Sequence, residues 1–195
     1  MLEISNVKVY DLKESIIACR NAMRLEPPQY TEEEFQKGLE RAKKLVQASY
    51  TDKNVHCHDN FMTGIRVSFD MKYTQYITKQ MQRYHWFDIV TSSSKMHRLT
   101  KMDFDKCCNK WVSDETKAQM KRLIAEYNAI PTGDNFMRVI SNCPQGIMLF
   151  MRVSTNYEQL HTIYVQRKNH RLPCWREFCE WIETLPYAKE LIICE

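Results

Sequence analysis

Apolar positions along the chain recur at two different periods, and the changes of period mark its elements. The opening "ISNVKVYDL" alternates, with Val7 and Val9 on one face, and predicts a short strand. "KESIIACRNAM" then reads at helical spacing. "YTEEEFQKGLERAKKLVQASY" predicts a longer helix, in which Phe35, Leu39, Ala42 and Val46 share one face. Thr31 is placed to cap its N-terminus and Glu34 to complete a capping box. "MTGIRVSFDM" returns to alternation, Ile65, Val67 and Phe69 against Arg66, Ser68 and Asp70, and predicts a second strand.

A helix is expected next, from about Lys72 to Phe87, with Tyr73, Ile77 and Tyr84 on its apolar side. Ser113 opens another, running to Tyr127, with Asp114 and Glu115 in the first turn where the helix dipole favours acids. "DNFMRVISNC" reads as a helix or irregular segment stopped at Pro144. "RVSTNYEQLHTIYVQRKNH" reads as helical through Tyr157, Leu160 and Tyr164, and "CWREFCEWIETL" closes with Trp175, Phe178 and Ile182 facing inward. The pattern is that of an α+β chain, mostly helical. With no internal repeat, low-complexity tract or linker, residues 1–195 are expected to form a single domain.

Composition narrows the classes. Only four glycines are present, and no GxGxxG or Walker sequence, which argues against a glycine-rich phosphate loop. The net charge of +4 suits a small anionic ligand; a nucleic-acid polymer normally needs a denser basic stripe. No apolar run approaches membrane-spanning length, so no membrane partner is expected. The eight cysteines include no CxxC pair, and Cys107 and Cys108 are adjacent, so reduced thiols and a cytoplasmic location are expected. "HCH" at His56–His58 lacks the further ligands that zinc requires, and no metal is expected.

Positive charge concentrates in two windows. From Lys72 to Lys101 there are Lys72, Lys79, Arg83, Lys95, Arg98 and Lys101 against Asp88; from Gln159 to Arg176 there are Arg167, Lys168, Arg171 and Arg176 with no acid. If the fold brings them together, arginines plus the hydroxyls of "SSS" would make a phosphate cradle from Arg83, Ser93, Ser94, Lys95, His97, Arg98, Arg167 and Arg171. The bland alternative is a pair of solvated helix faces. Trp86, Trp175, Tyr84 and Tyr164 lie near these charges and would suit a planar ring, a nucleobase or a flavin; for Trp175, core packing is the stronger reading.

The stretch from Gln80 onward resembles the motif R-H-R-x-x-S-x-N-E-x-S-x-R-Y of the flavin-dependent thymidylate synthases, whose preceding helix carries a glutamine. Gln80 and Arg83 fit; Tyr84 stands for the motif's histidine and His85 for its second arginine. Read without a gap, Ser93 and Lys95 match the following serine and arginine; with one inserted residue, Ser94 becomes the serine and His97 replaces the tyrosine. "IIACRNAM", with Arg20, is similar to the family's early "AAR" helix, and His58 falls where a Gly-His precedes its first long strand. Pro144, Asn156, Leu160 and Arg167 match its later landmarks.

The resemblance implies a central antiparallel or mixed sheet flanked by helices, a homotetramer, and FAD and dUMP bound where subunits meet. It implies nucleotide contacts from the basic and serine groups, and flavin contacts from Gln80, Tyr84 and His85. The departures are equally specific. The motif's N-E pair becomes Val90-Thr91, and the arginine of "N-A-R" becomes Glu158. Unit charges near 4 Å interact by roughly 4 kcal/mol at an effective dielectric of about 20, so this reversal swings an anion site against its ligand unless a cation compensates. The expectation is a nucleotide-binding protein on this fold, a sensor or sequestering module that does not make thymidylate. The alternatives are an active flavin-dependent methyltransferase acting on a dUMP-type nucleotide, and a helical interaction protein without a small-molecule ligand.

Overall fold

A computed structural model describes residues 2–51 and 58–194. Its centre is a four-stranded sheet in the order β1-β2-β4-β3, built from β1 (Glu3–Tyr10), β2 (Arg66–Thr74), β3 (Asp88–Ser92) and β4 (Met148–Asn156). Every pairing is antiparallel. The two faces of the inner strands divide by alternation, as a half-buried sheet requires. Val67, Phe69, Met71 and Tyr73 lie opposite Thr155, Val153, Met151 and Leu149, and all are buried. The other face is polar and cross-linked: Arg152 bonds Asp70 at 3.2 Å, Arg66 bonds Ser154 at 3.3 Å, and Lys72 bonds Glu3 at 2.8 Å.

The helices pack on the apolar face. They are α1 (Leu12–Ala18), α2 (Glu32–Thr51), a single turn α3 (Thr78–Met81), a single turn α4 (Lys95–Arg98), α5 (Asp114–Ala129), α6 (Gly133–Ser141), α7 (Tyr157–Arg167) and α8 (Pro173–Ile182). Phe178 and Trp181 of α8 meet Phe69 with ring centroids 6.0 and 4.5 Å apart. A π-helical turn, Lys189–Ile193, ends the described chain against α7: Nδ1 of His161 donates to the Ile192 carbonyl at 2.6 Å. The same imidazole stacks on Tyr50 of α2, with ring centroids 3.4 Å apart.

The caps follow the sequence in part. Thr31 accepts from the Glu34 amide at 3.2 Å, but the Glu34 carboxylate turns to Arg20 and Arg24 instead of closing the capping box, because a charged partner outbids a lone backbone N–H. Ser113 caps α5 through the Thr116 amide as expected.

Three expectations are corrected. There is no continuous helix from Lys72 to Phe87: Lys72, Tyr73 and Thr74 continue β2 opposite Phe150, Leu149 and Met148, and only a 3-10 turn at Gln75–Ile77 and the α3 turn are helical. Helical spacing of Tyr73, Ile77 and Tyr84 was coincidental, since pairing with β4 claims the backbone groups first. "RVSTN" is not helical either; it ends β4, and Asn156 caps α7 by accepting from the Gln159 amide at 2.8 Å. In β1, Val7 and Val9 do not share a buried face. An irregularity between Ser5 and Lys8, with Asn6 at φ 50°, inserts a bulge that turns Ile4 and Val9 inward and leaves Val7 exposed. Of the "HCH" stretch, His56 and Cys57 lie outside the described residues.

Candidate functional site

The chain after α3 turns back across α7, and the groove between them is a cleft of about 500 Å³. One wall is Arg83, Tyr84, His85 and Trp86; the other is Glu158, Gln159, Thr162, Gln166 and Arg167. Positions 158, 162 and 166 lie one above another on α7, because residues four apart share a helix face.

Two ties hold the walls in register. At one end, the Gln159 side-chain carbonyl accepts from the Trp86 amide at 3.0 Å. At the other, the Tyr84 hydroxyl accepts from Nε of Arg167 at 2.7 Å and donates to Gln166 at 3.2 Å. The Arg167 guanidinium lies over the Trp175 ring, 4.8 Å from its centroid, so the charge is oriented by packing as well as by hydrogen bonding. At 1.5 Å rise per residue, the two ties sit about 11–12 Å apart along α7.

The cleft is polarised. Arg83 and Arg167 stand at the Tyr84 end; Arg83 is exposed and makes no side-chain hydrogen bond or ion pair among the described residues. At the Trp86 end, the half-exposed indole of Trp86, met edge-on by His85, stands near Glu158. The Glu158 carboxyl has no hydrogen bond or ion pair among the described residues, and burial, then the charge of Asp59, pushes its pKa up. Beyond the cationic end, burial and then Arg167, Arg171 and Arg176 hold the His170 imidazole below its ordinary pKa.

Only part of the expected cradle assembles here. Arg83 and Arg167 converge, from the two basic windows, and His85 joins them. Gln80 faces inward, accepting from the Trp175 indole at 2.6 Å, and Trp175 is fully buried. Tyr84 is nearly buried beneath the arginines. Ser93 and Lys95 are carried away by β3 to a second cleft of about 610 Å³, shared with Tyr76, Lys79 and Gln82. There Ser93 extends the sheet, donating its amide to the Phe150 carbonyl at 2.9 Å and accepting from the Phe150 amide at 3.2 Å. Ser94 precedes α4 without a capping bond from its side chain, and His97, Arg98 and Arg171 are exposed and line neither cleft.

The residues not anticipated are Gln159, Thr162 and Gln166. The polar stripe at 158, 162 and 166 was readable once α7 is started at Tyr157. Among the described residues, no group of three or more His, Cys, Asp or Glu side chains is placed to hold a metal ion.

No protein-family model matches the chain, and no curated protein matches it significantly. Solved structures do. A flavin-dependent thymidylate synthase ThyX from Helicobacter pylori, complexed with FAD and dUMP, superposes with a TM-score of 0.73 over 97% of both chains at 13% identity. A second structure of ThyX from that organism with FAD and dUMP gives a TM-score of 0.63 at 11% identity, covering 100% of this chain and 99% of the other. A UMP/dUMP methylase, PolB from Streptomyces cacaoi bound with 5-Br dUMP, gives 0.62 at 11% identity, covering 100% and 92%. The resemblance read from the motifs thus holds at the level of architecture: the chain has the fold of the flavin-dependent thymidylate synthases.

Proposed function

We propose that the cleft between residues 83–86 and α7 binds a phosphorylated nucleotide, and that the protein senses or sequesters it without making thymidylate. The observation that carries this reading is the unpaired, exposed guanidinium of Arg83 beside the oriented one of Arg167, at one end of a cleft whose other end presents an indole. A volume of about 500 Å³ is in the range of small-molecule sites. Loss of catalysis is argued from Glu158, which puts a carboxylate into the cleft where the motif resemblance has an arginine, and from Val90-Thr91 in place of a polar pair.

The second reading is a working flavoenzyme, favoured by the FAD and dUMP in two of the similar structures. A bound flavin would supply the redox chemistry, and the chain would bind and orient it. Of the residues assigned to flavin by resemblance, Gln80 and Tyr84 are engaged internally, which leaves His85 to face it, with the neighbouring Trp86 ring beside it in the same cleft. A homotetramer belongs to either reading: assembly would let the Ser93–Lys95 cleft of one copy complete the Arg83–Arg167 cleft of another.

The two readings separate on the absorbance spectrum of the purified protein, with mass spectrometry of what it releases on denaturation. A colourless protein that releases a nucleotide is the expected result. A flavin spectrum, with oxidation of reduced nicotinamide cofactor stimulated by dUMP, would move the assignment to the enzyme.

A further inference from the structure

The polarity of the cleft carries a statement about which base it takes. Building on the nucleotide reading above, we infer that Glu158 and Trp86 form a base-reading end that selects guanine, while Arg83 and Arg167 hold the phosphate.

The Trp86 amide is pinned to Gln159, the neighbour of Glu158, so Trp86 and Glu158 stand at the same end of α7, where both line the cleft. The arginines are fixed at the opposite end through Tyr84. Nine residues separate Glu158 from Arg167, about 13–14 Å along the helix, on the scale of one extended mononucleotide with its phosphate at one end and its base at the other. The cationic end therefore sets the direction in which a nucleotide enters: a base delivered to the acidic end meets a flat aromatic surface and an acceptor.

The chemistry of that acceptor decides the base. An ionised carboxylate offers lone pairs only, so it rewards adjacent N–H donors and repels carbonyl oxygens. Guanine presents two donors side by side, its ring N1–H and its exocyclic amino group, and can meet both carboxylate oxygens. Uracil presents one N–H flanked by two carbonyls, which would be pushed against the negative charge. Cytosine and adenine each offer an amino group beside a ring acceptor, one hydrogen bond where guanine makes two. Neither a hydrogen bond nor an ion pair occupies the Glu158 carboxyl among the described residues; the charge of Asp59 bears on it, and the Thr162 hydroxyl beside it donates to the Glu158 backbone carbonyl instead. A pocket polar group left without its partner by the wrong ligand is an effective means of discrimination.

The test is equilibrium binding of GMP, inosine monophosphate, AMP, CMP, UMP and dUMP to the intact wild-type protein, with Glu158→Gln and Glu158→Asp in parallel. Inosine monophosphate differs from GMP only by the missing amino group, so this comparison needs no variant. GMP should bind about tenfold or more tighter than inosine monophosphate or UMP, the effect of losing one arm of a bidentate contact. Glu158→Gln should erase that preference, because an amide can donate to a uracil carbonyl, and Glu158→Asp should retain part of it. Equal affinity for all bases, or tightest binding of UMP or dUMP with no response to Glu158→Gln, would overturn guanine selection while leaving a nucleotide site in place. Failure of every monophosphate to bind the wild-type protein would overturn the nucleotide reading itself, and guanine selection with it.

Discussion

At the scale of single residues, the two cleft arginines have different duties. Arg167 is tied to Tyr84 and stacked on Trp175, so it supports the fold as well as charging the cleft. Arg83 contacts no described side chain by hydrogen bond or ion pair. Arg83→Ala should leave the melting temperature within a degree or two of wild type, whereas Arg167→Ala should destabilise by about 1–3 kcal/mol, read by thermal or urea unfolding. Equal loss of stability in both would show that Arg83 is structural. Glu158 gives a pH-dependent counterpart. Burial raises its pKa in the folded state, so the fold binds that proton more readily than the unfolded chain, and the group's contribution falls as pH rises through the ordinary carboxylate range. At neutral pH the ionised carboxyl is a standing penalty. Glu158→Gln should therefore raise the melting temperature near pH 7, with the gain shrinking toward pH 4; no gain at neutral pH would mean that a cation satisfies the carboxylate.

At the scale of elements, α1 and α2 approach closely at Gly38. A Cβ built there would lie 2.7 Å from the Ile16 carbonyl oxygen of α1, which is backbone and cannot swing aside. Gly38→Ala should force α1 and α2 apart at a cost of about 1–3 kcal/mol despite the better helix propensity of alanine. A neutral or stabilising result would show that the pair has slack. The C-terminal turn rests on His161, whose Nδ1–H meets the Ile192 carbonyl and whose ring stacks on Tyr50. Burial lowers the His161 pKa, opposed by the Ile192 bond and the Asp59 charge, so the folded state resists protonation. That contribution is complete above the ordinary histidine range and is lost as pH falls below about 6.5. His161→Phe should flatten the stability profile between about pH 5 and 7, as followed by unfolding at each pH.

What the sequence revealed at this scale follows from burial. Helices with one apolar stripe and a capping residue, α2 and α5, were legible almost to their ends, because solvent on one side leaves a periodic record. The strand β4 was not. Its "MLFMRVSTN" reads as a plain apolar run passing into polar residues, and the helical spacing that begins at Tyr157 drew the helix too far back. Missing β4 then hid β3 and the end of β2, since pairing, not local propensity, makes those segments extended. The candidate site suffered the same way: Arg83 and Arg167 were visible as charge, but that Ser93 pairs with Phe150 and leaves the cleft depends on a strand partner distant in sequence.

At the scale of the whole molecule, a polarised cleft and a serine- and lysine-lined one have separate linings, which meet in sequence at Gln82 and Arg83. If the shared site proposed above exists, light scattering should find an oligomer in solution, and dilution to monomer should weaken nucleotide binding along with assembly. A monomer that binds with full affinity would confine the site to the first cleft. The central claim, that the cleft of Arg83 and Arg167 is where a nucleotide phosphate binds, is tested most directly by titration calorimetry of a nucleoside monophosphate into wild type and Arg83→Ala. Binding to the wild type is expected, with a loss of about 10- to 100-fold in the variant, the size of one charge-assisted contact, and unfolding curves that coincide. Equal affinity in the two proteins would place the phosphate elsewhere than at Arg83.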